Sequence, residues 1–210
     1  MHVRRVAASI FLVLAAPVPA QPTGGPPGAA PPAAAAGQAP AAAHDPAARV
    51  AAQREAMARL SFLDGVWRGS ASARTPAGRH TLVQTERVGP LLDGAVRIVE
   101  GRGYEADGSI GFNALGVIAF EPATGRYTIT AWTGGRAGAF PLTVVDDGFV
   151  WEMPAGPGAI VRHTATVRDG RWHEVGERIV EGAAPVTTIE LDLVRVGDTD
   201  WPGGGAVPMD

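Results

Sequence analysis

From Gly65 to Trp201, apolar and polar positions alternate in about ten short runs rich in Val, Ile, Thr, Phe and Trp. Asp-Gly, Thr-Gly and Pro-Gly pairs fall between the runs at nearly regular intervals. Alternation of period two predicts strands with one buried face, and turn pairs at this spacing predict hairpins between consecutive strands. No helical pattern of about 10–15 residues separates them, so parallel βαβ units are not expected. The expected fold class is all-β: one closed antiparallel barrel of about ten strands, preceded by one short N-terminal helix. The expected strands are Val66–Ser72, Arg79–Leu91, Ala95–Tyr104, Phe112–Glu121, Tyr127–Thr133, Ala139–Val145, Phe149–Pro154, Ala159–Arg168, Arg171–Val180 and Val186–Val196. Gly89-Pro90 interrupts the second run, and a proline cannot donate to a ladder, so a bulge or an edge is expected there.

A two-residue loop fixes register, and register fixes which side chains share a face. With Asp169-Gly170 as the turn, His163, Ala165 and Val167 share a face with Trp172, Glu174, Gly176 and Arg178. This is the more apolar face and should line the interior, which directs His163, Glu174 and Arg178 inward. Asp147-Gly148 as a turn places Leu142, Val144, Phe149, Trp151 and Met153 together, again as interior positions. Around Asp93-Gly94, Arg87 falls opposite Glu100, but both faces are mixed and neither can be chosen as inward. Arg87–Glu100 and Arg162–Glu177 read as exposed cross-strand pairs, each contributing under about 1 kcal/mol.

The chain before the strands divides by composition. Residues 1–20 carry Arg4 and Arg5, an apolar core from Val6 to Ala16 and small residues before Ala20, the pattern of a secretory signal peptide. The core is shorter than the roughly 20 residues of a membrane span, so none is expected after cleavage. In residues 21–44, twenty of 24 are Ala, Pro or Gly, which predicts a disordered tether. Asp45 as N-cap and Pro46 at the first helical position open a helix over 45–60, with Val50, Met57 and Leu60 as a narrow apolar stripe lying across the barrel mouth or wall. The barrel should occupy 61–202, and the glycine-rich residues 203–210 should form a flexible tail. These features predict a periplasmic or secreted protein.

Charge and composition narrow the chemistry. All 18 basic residues are arginine; two lie in the leader, leaving 16 against 21 acids, a net −5. A nucleic-acid partner is not expected without a clustered positive surface. There are no cysteines, which excludes disulfides, thiolate nucleophiles and Cys-ligated metals, and no lysine for a Schiff base. No Gly-x-Ser-x-Gly elbow occurs, and Gly101-Arg102-Gly103 lacks the following helix of a phosphate loop, reading instead as strand glycines that allow close packing.

Gly65-Val66-Trp67 at the first strand, with Arg195 on the last, resembles the lipocalin and wider calycin group. That resemblance implies a tryptophan plugging the barrel floor beneath the arginine, giving Gly65, Trp67 and Arg195 structural roles. Glu100-Gly101-Arg102-Gly103-Tyr104, the run Asp147–Pro154, the segment Trp172–Glu177 and the run Val196–Pro202 resemble a bacterial lipocalin-like family of unknown function. That likeness spans Ser61–Pro202 and implies a fold without an activity. Gly65-Val66-Trp67-Arg68-Gly69 is also similar to the entry strand of nitrobindin-like haem barrels, in which a histidine near the chain end ligates iron. The last histidine here is His173, none lies on the final expected strand, and His163 alone is an inward candidate.

The leading expectation is an exported binding module that takes a mostly apolar small molecule into a lumen lined by Phe149, Trp151, Met153, Trp172, His163, Glu174 and Arg178. Such a reading requires a cavity on the order of a few hundred Å³. No cofactor is expected beyond the haem alternative, and no metal site, since one His and one Glu need a third ligand such as His80. A second reading is an enzyme using His163 and Glu174 as an acid–base pair on a small substrate. A third is a structural protein that docks a partner through an exposed edge near Pro90.

Overall fold

The structure, a computed structural model, is described for residues Asp45–Gly203; the expected leader, the tether and all but the first residue of the tail lie outside the described residues. Ten antiparallel strands follow a short helix: α1 (Pro46–Ala58), β1 (Gly65–Thr75), β2 (Gly78–Leu91), β3 (Val96–Tyr104), β4 (Ile110–Glu121), β5 (Arg126–Thr133), β6 (Arg136–Val145), β7 (Gly148–Pro154), β8 (Ala159–Arg168), β9 (Arg171–Val180) and β10 (Val186–Gly197). Each strand pairs with its sequence neighbours, and β1 pairs with β10 to close the barrel. Among the described residues, no helix is long and apolar enough to cross a membrane.

The turns set this meander. Asp169 and Gly170 both adopt positive φ (52° and 72°), as a tight hairpin turn of primed type requires, and Arg168 pairs with Arg171 as expected. Two turns differ from expectation. Val145 pairs with Gly148, so the β6–β7 loop is Asp146-Asp147 and not Asp147-Gly148. The pairing moves by two residues, and because side chains repeat every two, the inward face is unchanged. Between β2 and β3 the loop holds four residues, Leu92 to Ala95, yet the register is the one centred on Asp93-Gly94. Pro90 sits in no bulge: β1 pairs with β2 only as far as Val88, so Pro90 lies on an edge that β1 has already left. The chain end covers this edge, for a Cβ on Gly89 would lie 1.6 Å from the Trp201 carbonyl oxygen.

α1 closes one end of the barrel. Asp45 caps it, its side chain accepting from the Ala47 amide at 2.9 Å. Of the expected stripe, Met57 and Leu60 are fully buried, whereas Val50 is 40% exposed. Leu63, in the 3-10 turn Ser61–Leu63, completes the plug. Polar contacts fasten it to the strand ends: Gln53 donates to the Phe120 carbonyl, Tyr127 to the Ala56 carbonyl, and Arg97 to the Met57 carbonyl. Arg97, only 4% exposed, is neutralised by Asp64 through two bonds of 2.8 and 3.1 Å. Trp67 lies against this floor, 1% exposed, and its indole N–H donates to the Leu63 carbonyl at 2.8 Å. Arg195 is opposite Trp67 in the β1–β10 ladder, and its guanidinium bonds the Asp64 carbonyl and Asp198. It also occupies the space a side chain at Gly65 would need, where a Cβ would meet Arg195 Nε at 2.8 Å.

Removing one partner of a buried ion pair leaves an uncompensated charge, which is costlier than removing both. Asp64→Asn is expected to lower stability by about 3 kcal/mol in urea unfolding with an unchanged slope, and Arg97→Met added to it should restore most of the loss.

Candidate functional site

Aromatic inward residues crowd one side of the lumen. Phe149, Trp151 and Met153 on β7, Val167 and Ala165 on β8 and Trp172 on β9 fill one side and belong to the buried core. Among the larger inward residues Val99, Phe112, Ile118 and Ile129, the strands β1, β3, β4 and β5 carry the small ones Ala71, Ala73, Gly101, Gly103, Ala114, Gly116 and Ala131. The space those small residues leave open is a cavity of about 160 Å³, lined by Trp151, Trp172, Phe149 and Phe112 together with Gln84, Glu86, His163 and Glu174. It is smaller than the few hundred Å³ expected, which suits a compact ligand and not a long acyl chain.

His163 and Glu174 meet as the hairpin register requires. His163 Nδ1 lies 3.0 Å from Glu174 Oε1, with both residues buried. Glu174 also accepts from two indoles, Trp151 Nε1 at 3.4 Å on Oε1 and Trp172 Nε1 at 3.2 Å on Oε2. Two indole N–H groups converge on this carboxyl group, and the proton on His163 is assigned to Nδ1 because Nδ1 faces it. Nε2 is then an acceptor. It is buried and has no hydrogen-bond partner. The imidazole stacks on Trp151 with ring centroids 4.1 Å apart and planes at 12°. Gly176 opposite makes this possible, since a Cβ there would stand 3.1 Å from His163 Cε1.

Two further members come from the hairpin whose faces were ambiguous in the sequence. Gln84 and Glu86 on β2 point inward, 2% and 7% exposed, and Gln84 Nε2 donates to Glu86 Oε1 at 2.6 Å. They lie opposite Gly103 and Gly101, and a Cβ on Gly101 would be 2.7 Å from the Glu86 carboxyl group. The two strand glycines therefore make room for a pair of buried polar side chains, a signal visible once register is combined with residue size. Burial pushes the Glu86 carboxyl group up to about 8; the Gln84 bond opposes this, and the charges of Glu174 and Glu100 add to it.

Several expected members stand elsewhere. Arg178 keeps the inward parity of β9 but is exposed, and it makes no hydrogen bond or ion pair with His163 or Glu174. Met153 is 1% exposed in the core and does not line the cavity. Arg162 bonds Glu152 on β7 and not Glu177, while Arg87 bonds Glu100 as expected. His80 contacts Glu105 at 3.1 Å near the opposite end of the barrel from α1 and does not reach His163. Among the described residues, no cluster of three or more His, Asp or Glu could hold a metal ion. A haem does not fit the cavity, because 160 Å³ is too small for a porphyrin, which exceeds the size of ordinary drug-like ligands.

No protein-family model matches the chain. No curated protein matches it by sequence. Among solved structures it is similar to Rv2717c from M. tuberculosis, at 13% identity over 67% of this chain and 96% of that one, with a TM-score of 0.51. A protein of unknown function from the DUF3598 family of Nostoc punctiforme aligns over 67% of this chain and 98% of that one, at 8% identity and a TM-score of 0.22. The first likeness concerns the barrel fold alone.

Glu86 carries a pH-dependent penalty whose sign follows from linkage. Its folded value of about 8 lies above its ordinary 4.5, so between these values the folded state holds a proton that the unfolded state has released. Stability should therefore fall as pH rises from about 4.5 to about 8, by at most about 1.4 kcal/mol per pH unit from this group. Glu86→Gln is expected to flatten that decline in thermal unfolding scans and to raise Tm at pH 8.

Proposed function

We propose that the protein is an exported small-molecule-binding barrel of lipocalin-like type, whose lumen takes a compact, mostly apolar ligand with one polar end. The observation that carries this reading is the aromatic-walled cavity, lined also by Glu86, Glu174 and His163, whose Nε2 is unpartnered. A buried acceptor without a donor costs about 1–3 kcal/mol, and a ligand donating to it would recover that cost. The small residues that line the cavity support the same reading, since filling them with Leu or Phe would improve packing and abolish the space.

The His163–Glu174 contact also favours a second reading, in which Glu174 orients His163 and Nε2 removes a proton from a small substrate. Both readings place the ligand in the same lumen; they differ in whether it leaves unchanged.

Native mass spectrometry of protein from its own periplasm tests location and ligand together. The expected mass is a chain beginning at Gln21 with a small molecule retained; an uncleaved chain counts against export. A chemically altered species released on turnover would favour the enzyme. Ala114→Phe, which projects a ring into the cavity, is expected to lower occupancy at least tenfold while leaving the unfolding transition cooperative.

A further inference from the structure

The charges inside the lumen are unbalanced. Glu86 and Glu174 both line the cavity, and no arginine does. The buried Arg97 is committed to Asp64 and the Met57 carbonyl. Glu174 is met by two indole N–H groups and the His163 imidazole, and Glu86 by the Gln84 amide. The remaining unmet group, His163 Nε2, is an acceptor. His163 Nε2 and the two carboxyl groups thus favour a donor or a positive charge in the lumen. The surrounding wall has the matching property, because Trp and Phe faces attract cations, Trp most strongly.

We infer that the lumen is a site for a small organic cation: a primary or secondary ammonium on a compact apolar body, its N–H groups directed at His163 Nε2, Glu86 and Glu174, its body against Trp151 and Trp172. An anionic ligand would meet two carboxyl groups with no counter-charge. A neutral alcohol of equal size could satisfy Nε2 with one donor, but it would leave the acids without a cation. This inference rests on the lumen-binding reading and specifies its ligand.

A pH dependence follows. Glu86 holds its proton up to about 8 in the empty lumen, and a cation beside it favours the ionised form, so binding expels that proton. The titratable groups acting on it are Glu174 from β9 and Glu100 from β3; its register partner on β1 is Trp67, and Gln84 on β2 is neutral. Affinity for a ligand that stays protonated should rise from pH 6 to pH 8, by at most tenfold per unit for one proton.

The test uses the mature chain with benzylammonium, benzyl alcohol and benzoate, following tryptophan fluorescence and calorimetry at pH 6, 7 and 8. The expected result is benzylammonium binding at least tenfold more tightly than benzyl alcohol, benzoate not binding, and an ammonium affinity that increases with pH in wild type and is flat in Glu86→Gln. Equal or tighter binding of the alcohol overturns the cation inference and leaves the lumen reading in place. Failure of all three probes overturns it as well; the lumen reading then fails too only if native mass spectrometry finds no retained molecule. The wild-type selectivity alone decides the inference, so the result does not depend on how the variant folds.

Discussion

The ladder between β1 and β10 is the interaction on which the rest depends. Closure removes both sheet edges and sends every second side chain of all ten strands into one shared interior. Trp67, set opposite Arg195 in that same ladder, seats the strand pair on the α1 plug. An interior sealed at one end excludes water from most of its length, and the low polarity that results is what keeps the Glu86 carboxyl group protonated near neutral pH. Strand closure and the unusual acid are therefore two ends of one causal chain.

Most of the fold was legible because period-two alternation and turn chemistry are local properties. The Asp169-Gly170 hairpin was readable to the residue, and it alone brought His163 to Glu174. The turn at Asp146-Asp147 shows how such reading tolerates error: a pairing wrong by two residues still sorts Phe149 and Trp151 correctly, whereas an error of one would have reversed every face. The plug was harder. Val50 fits the helical stripe as well as Met57 does, but the barrel end meets α1 from Gln53 onward, a tertiary fact that no helical period contains.

The site was legible by halves for a related reason. On β8 and β9 one face is clearly the more apolar, so the inward direction is decided locally. On β2 and β3 the inward face carries Gln84, Glu86 and Arg97, and apolar character there does not tell the two faces apart. Residue size was the better guide: Gly101 and Gly103 stand opposite the two polar residues because a side chain at either would collide with what faces it. Arg178 illustrates the converse limit, since correct parity places a residue on the inward side without placing it deep enough to matter.

Barrel closure requires none of the lumen's polar groups. A Leu or Met at Glu86 would bury apolar surface, improve stability above pH 5 and cost the ladder nothing, since the backbone bonds are independent of it. The same holds for the alanines and glycines that keep the cavity open, each a missed chance at packing. Sequences that specify a single structure break such local rules where something other than folding sets the residue. Here the departures are not scattered: the small side chains, the orphaned imidazole nitrogen and the two uncompensated acids all border one volume of about 160 Å³. Independent packing defects would be distributed along ten strands. Their convergence on one end of one lumen is the physical reason to read that lumen as a site and not as an imperfect core.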